Sequence, residues 1–208
     1  MKGNSLEIKK YIQTARKKHK EGNIYQANEI YKNLINQKIY TYDLLISYGL
    51  FCKEINNLKI AKNLFLLSIK KYPLKINSYI LLAEILRKEN NIEDALKTLY
   101  EAKKIDKYNS DIDYNLSITH KAIKSFNDAI SFIDSAIKLQ PKNHIYKILK
   151  ADILIESFQN EGAKELLINL KLPEDSSLFY QREILISKVY INQKKYILAE
   201  KVLLKLRK

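Results

Sequence analysis

Small, apolar and polar positions recur along this chain with a period of thirty-four residues. Ala27, Ala61, Ala95, Ala129 and Ala163 stand thirty-four apart, and a sixth, Ala199, follows after thirty-six. Twelve residues before each lies another small residue: Ala15, Gly49, Ala83, Ser117, Ala151 and Ser187. Four residues after each comes a large apolar side chain, Tyr31, Phe65, Leu99, Ile133, Leu167 or Leu203; seven after stand Leu34, Ser68, Ala102, Ala136, Leu170 and Leu206. Offsets of zero, four and seven share one face of an α-helix, so each anchor alanine sits on the inner side of a helix. The second small position marks where a neighbouring helix must come close.

The punctuation gives two helices per period. Turn-forming pairs, Gly22-Asn23, Asn56-Asn57 and Asn90-Asn91, fall just before the second helix. Pro73 and Pro141 lie twelve residues after an anchor, where that helix must stop; Lys107, followed by Tyr108-Asn109-Ser110, takes the same slot in the third period. The spacing predicts first helices over 5–20, 41–54, 75–88, 109–122, 143–156 and 178–192, and second helices over 24–36, 58–71, 92–105, 126–139, 160–170 and 196–207. The two extra residues fall within 171–178, where Pro173 breaks one helix and Asp175 or Ser176 caps the next. The expected fold class is all-α, a single array over 1–208 of about six antiparallel helix-turn-helix repeats at 8–40, 41–74, 75–108, 109–142, 143–177 and 178–208. No hairpin of this size buries its apolar face alone, so stacked neighbours must supply a shared core.

Thirty-four residues, helix-turn-helix, and the order small, small, aromatic, proline resemble the tetratricopeptide repeat (TPR) family over nearly the whole chain. The first copy, Ala15 through Gly22 and Ala27 to Tyr31, carries the pattern most fully. The family's aromatic near the start of each repeat is present as Tyr11 and Tyr79 and replaced by Leu45, Asp113, Lys147 and Glu183. The resemblance implies a right-handed superhelix, an α-solenoid, whose first helices line a concave groove. It also implies a non-catalytic scaffold that binds a protein or peptide partner there.

The row that the resemblance places in the groove, fifteen before each anchor, reads Ile12, Ile46, Ile80, Tyr114, Ile148 and Ile184. Two readings compete. Coding bias toward Ile together with packing on the adjacent repeat accounts for the row as structure; an apolar ligand stripe accounts for it as function. The row eight before the anchors is basic at His19, Lys53, Arg87 and Lys121 and apolar at Ile155 and Ile191. The candidate partner-binding set is therefore the six groove residues with Lys53, Arg87 and Lys121 alongside, and the ligand it suggests is an amphipathic helix or an extended segment alternating apolar and acidic residues. The family's chaperone-binding members hold a C-terminal carboxylate with Lys, Asn and Arg. Here the matching positions are Ile12 and Arg16, and the only Asn in the required slot is Asn115, so that specialised use is not expected.

Charge changes the picture less than its sum suggests. The net charge is +14, but thirty-three of the thirty-seven basic residues are Lys, and Arg is the preferred fork for phosphates and base edges. Residues 1–38 contribute +6, residues 193–208 contribute +5, and the 154 residues between only +3. Two basic ends describe the chain better than a nucleic-acid binder. No apolar run approaches a bilayer span, and 1–10 lacks the apolar stretch of a signal peptide, so no membrane role and a cytoplasmic protein are expected.

No chemistry assembles itself. His19, His120 and His144 have no metal-ligand spacing, and the four glycines are scattered. Asp111, Asp113 and Asn115 imitate a calcium loop that fails at Leu116 and Ala122, and Asp111 is expected to cap a helix instead. Cys52, the sole cysteine, is expected to be a buried structural thiol. No cofactor, metal or catalytic residue is assigned, and the chain is expected not to be an enzyme. The final helix, Tyr196 to Lys208, carries Leu198, Val202 and Leu206 on one side and Ile197 and Leu204 on others. That makes homo-oligomerisation through it the alternative, to which the resemblance adds a leader role before a sulfotransferase or glycosyltransferase domain, since similar bacterial repeat arrays often precede such domains.

Overall fold

The structure, a computed structural model, describes residues 5–207; residues 1–4, on which part of the signal-peptide reading rests, and Lys208 lie outside them. Among the described residues the chain is helical with no strand, and it divides into two compact units, Met1–Asn90 and Asn91–Lys208. Unit 1 holds α1 (Ser5–Lys20), α2 (Ile24–Asn36), α3 (Tyr42–Glu54), α4 (Leu58–Lys71) and α5 (Ile76–Lys88). Unit 2 holds α6 (Ile92–Ile105), α7 (Ser110–Ala122), α8 (Phe126–Leu139), α9 (His144–Glu156), α10 (Asn160–Ile168), α11 (Ser177–Asn192) and α12 (Tyr196–Leu204), which ends in a 3-10 turn, Lys205–Arg207. The predicted boundaries hold to within two residues except at the last helix, which gives way to that turn after Leu204.

The recurring small residues explain the packing. All six anchor alanines are buried, and so are the six small residues twelve places earlier. At Gly49 the approach is closest: a methyl group built there would overlap the ring of Phe65 across the α3–α4 hairpin. Ser117 stands where three other repeats carry Ala, and its hydroxyl donates to the Ala129 carbonyl at 2.8 Å, so the polar group is satisfied inside the hairpin. Two slots where the resemblance would place an aromatic carry charge instead. Asp113, fully buried, is held by Lys103 and by the Ser135 hydroxyl at 2.6 Å. Glu183 is held by Arg182, which also donates to the Leu170 carbonyl at 2.7 Å.

Each connection from a first helix to a second turns through one residue in the left-handed region, always five places before the anchor: Gly22, Asn56, Asn90, Lys124, Phe158 and Lys194. The following amide reaches back to the last helical turn, as Asn57 N does to Cys52 O at 2.7 Å and Gln159 N to Leu154 O at 2.8 Å, which closes the helix end. Asn57, Asn91, Asn109, Asn143 and Ser176 cap the helices that follow them. Asn109, not Asp111, caps α7. Asp111 lies in the first turn and accepts from the Tyr146 hydroxyl at 2.7 Å, because the side chain one place before the helix reaches its free amides more directly.

Candidate functional site

The first helix of each repeat offers one face at the places eighteen, fifteen, fourteen and eleven before its anchor, which are successive positions i, i+3, i+4 and i+7. The two units use that face differently. In unit 1, Ile12 and Ile46 are buried and Ile80 is half-buried. Packing therefore accounts for Ile12 and Ile46, and neither side chain is free to meet a ligand. The charges of this face are also tied internally. Arg16 donates to Asp43 Oδ1 at 2.7 Å and to the Ser47 hydroxyl at 2.5 Å, and Lys53 Nζ donates to Glu84 Oε2 at 2.8 Å. Arg87 is half-buried on α5. Neither residue that matches the carboxylate clamp points to one: Arg16 is held as above, and Asn115 is buried with its amide on the Asp111 carbonyl at 2.8 Å.

In unit 2 the same face opens into a depression of about 310 Å³, lined by Tyr114 of α7, by Ile145, Ile148, Leu149 and Asp152 of α9, and by Gln181, Ile184, Leu185 and Lys188 of α11. Ile148 is buried and Tyr114 half-buried, whereas Ile145 and Ile184 are 47% and 44% exposed. Tyr114 is stacked on Tyr146 at 5.1 Å, and the Tyr146 hydroxyl is fixed by Asp111 and Ser110. The aromatic wall is therefore rigid before any partner arrives.

One rim of the depression is charged and internally balanced. Lys121 is bonded to Asp152 and, at 2.8 Å, to Glu156, while Lys188 lies 3.7 Å from the other oxygen of Asp152. Burial pulls against the Lys121 ammonium, but the two carboxylates outweigh it and its pKa is raised. Lys53 and Lys121 thus each hold a carboxylate thirty-one residues further on, inside their own unit. An acidic ligand at these two residues would have to displace the carboxylates already there.

Of the residues expected from sequence, Tyr114, Ile148 and Ile184 line this depression, and Lys121 meets it only through its pair with Asp152. The sequence reading missed Ile145, Leu149, Gln181 and Leu185, whose signal was the helical face itself, extended one turn to either side of the isoleucine row. The remaining candidates are structural. Cys52 is buried, with burial pushing its thiol up to about 12. His120 is buried between the Tyr100 hydroxyl, 3.1 Å from Nε2, and the ring of Phe132. Among the described residues no three His, Cys, Asp or Glu side chains are grouped to hold a metal ion, and no helix is long and apolar enough to cross a membrane. On α12, Tyr196, Ile197, Leu198, Leu203 and Leu204 are exposed, so Leu198 joins Ile197 and Leu204 outside rather than packing inward.

No family model matches the sequence, and no curated protein matches it. Solved structures do match the fold. PilF of Pseudomonas aeruginosa is similar at a TM-score of 0.73 and 16% identity, over 96% of this chain and 90% of that one. A tetratricopeptide repeat protein from Parabacteroides merdae is similar at a TM-score of 0.79 and 13% identity, over 98% of this chain and 78% of that one. A thermophilic TPR protein of Thermus thermophilus gives a TM-score of 0.71 at 11% identity, over 86% and 98%. The chain therefore has the all-α helical-repeat fold of the tetratricopeptide proteins.

Proposed function

We propose that this protein is a non-catalytic scaffold that receives an apolar segment of a partner protein in the depression between α7, α9 and α11. The observation that carries the reading is the pair Ile145 and Ile184, left nearly half exposed in a depression whose α7 side is the stacked ring of Tyr114. Covering each of them would contribute roughly 1 kcal/mol before the cost of ordering the ligand. With two cations and two carboxylates on the rim, the site favours no net ligand charge, so apolar anchors set affinity and Lys188, the most exposed of the four, sets register. The fitting ligand is an amphipathic helix that presents two aliphatic or aromatic side chains one turn apart.

A displayed library of random peptides, selected on the full chain, tests this directly. Enrichment of apolar pairs at a spacing of three or four, lost on an Ile145→Glu, Ile184→Glu double variant of unchanged helicity, is the expected outcome. Equal enrichment on the double variant would overturn the assignment.

A further inference from the structure

Phe158 breaks two local rules at once. It occupies the left-handed position of the α9–α10 turn with φ 62°, and its side chain is 82% exposed. A bulky L-residue is disfavoured there, and an aromatic ring in water gains nothing from the fold. The same position holds Gly22, Asn56 and Asn90, which suit it, and the exposed Lys124 and Lys194, so that among the six repeats only Phe158 puts an aromatic ring there. The turn is closed by its backbone, Phe158 N to Ile155 O at 3.1 Å and Gln159 N to Leu154 O at 2.8 Å, so the ring contributes nothing to closing it. Strain of this kind persists where something outside the local structure uses it.

The surface next to Phe158 supplies a receptor. Gln159, the following residue, lines a hollow of about 410 Å³ whose apolar walls are Ile130 of α8, Leu154 of α9 and Leu166 of α10, with Lys150, Glu165 and Asn169 completing its lining. Gly162 keeps it open. The slot one before the anchor holds Gln26, Ile60, Asp94, Asp128 and Leu198 elsewhere, and a methyl group built at Gly162 meets nothing nearer than Leu154 Cδ1 at 3.9 Å. The hollow shares no residue with the depression between α7, α9 and α11.

A ring and a hollow side by side on one surface form a self-complementary patch, the requirement for a two-fold contact between identical chains. Charge selects the same region. Residues 91–192 carry fourteen basic and fifteen acidic residues, a net of −1, whereas 1–38 and 193–208 carry +6 and +5 and would repel their own copies. We propose that two copies of this chain associate about a two-fold axis over the face of α8, α9 and α10, each placing its Phe158 ring in the hollow of the other.

Sedimentation of the full chain from nanomolar to high micromolar concentration should show a reversible dimer. Phe158→Asn, which suits the turn, and Gly162→Leu, which fills the hollow, should each weaken it at least about tenfold while helicity is retained. Mixed together, the two variants regain one ring-in-hollow contact, so native mass spectrometry should find the heterodimer in excess of either homodimer. Leu204→Glu on α12 should leave the dimer intact. A chain that stays monomeric throughout, a dimer indifferent to Phe158→Asn, a mixture without excess heterodimer, or a dimer lost with Leu204→Glu would each overturn the proposal.

Discussion

Unit 1 and unit 2 are built on one pattern and differ in what they leave unsatisfied. Unit 1 carries seventeen basic residues against seven acidic ones, yet its turns use Gly22, Asn56 and Asn90, its groove-face isoleucines Ile12 and Ile46 are buried, and Arg16 and Lys53 are paired. These turns obey the local rules, although Lys38, after α2, also takes the left-handed conformation at φ 58°. Unit 2, with twenty basic and sixteen acidic residues, places Lys124, Phe158 and Lys194 in the strained turn position and leaves Ile145 and Ile184 open to water. Departures from local consistency concentrate where a protein does something besides fold. Under the function proposed above, unit 1 serves mainly stability and unit 2 mainly recognition, and each part of that contrast can be broken by substitution.

The largest effect should come from charging equivalent isoleucines. Ile46 is buried at the place where Ile184 is exposed, so Ile46→Glu forces a carboxylate into packed surroundings and should cost about 3 kcal/mol, whereas Ile184→Glu should cost less than about 0.5 kcal/mol. Urea unfolding of the two variants checks both numbers. Equal costs would mean that the groove faces of the two units are equivalent after all.

Two glycines should respond with opposite signs and smaller amplitude. Gly49→Ala places a methyl group against the Phe65 ring and should destabilise by about 2 kcal/mol, partly recovered by Phe65→Leu in the double variant. Gly162→Ala meets only ordinary contact with Leu154 and should stabilise α10 by about 0.5 kcal/mol. Thermal melts of the four proteins give the comparison, and a loss of stability at Gly162 would show that the hollow beside it is not open.

What the sequence disclosed, and what it hid, follows from the same physics. Helix positions were legible because backbone approach at Ala15, Gly49 and their equivalents tolerates only small side chains, a constraint written one residue at a time. The turn position was legible at Gly22, Asn56 and Asn90, and invisible at Phe158, because hydrogen bonds from the flanking backbone hold the turn whatever the side chain. The isoleucine row was legible as a row, but the exposure of each member was not: Ile12 and Ile184 share a register, and only the covering helices distinguish them. The pairs Lys53–Glu84 and Lys121–Asp152 repeat a spacing of thirty-one, three short of the period, and were readable as a ladder between successive first helices.

The smallest effect concerns a titration confined to unit 2. His120 of α7 is packed by Tyr100 of α6 and by Phe132 and Asp128 of α8, with Lys121 next in sequence. Burial lowers its pKa from the ordinary 6.5, and the Asp128 carboxylate, 3.8 Å from Nδ1, only partly offsets that. The unfolded chain therefore takes up the proton before the folded one. The contribution of His120 to stability is complete above about pH 6.5, falls as the pH drops through that value, and levels off once the folded histidine is itself protonated. Denaturant midpoints at about pH 7.5 and pH 5.5 should fall further for the wild type than for His120→Gln, which keeps an acceptor for Tyr100 and cannot titrate. An equal fall in both proteins would place the acid sensitivity elsewhere, and a fall confined to His120→Gln would reverse the sign argued from burial.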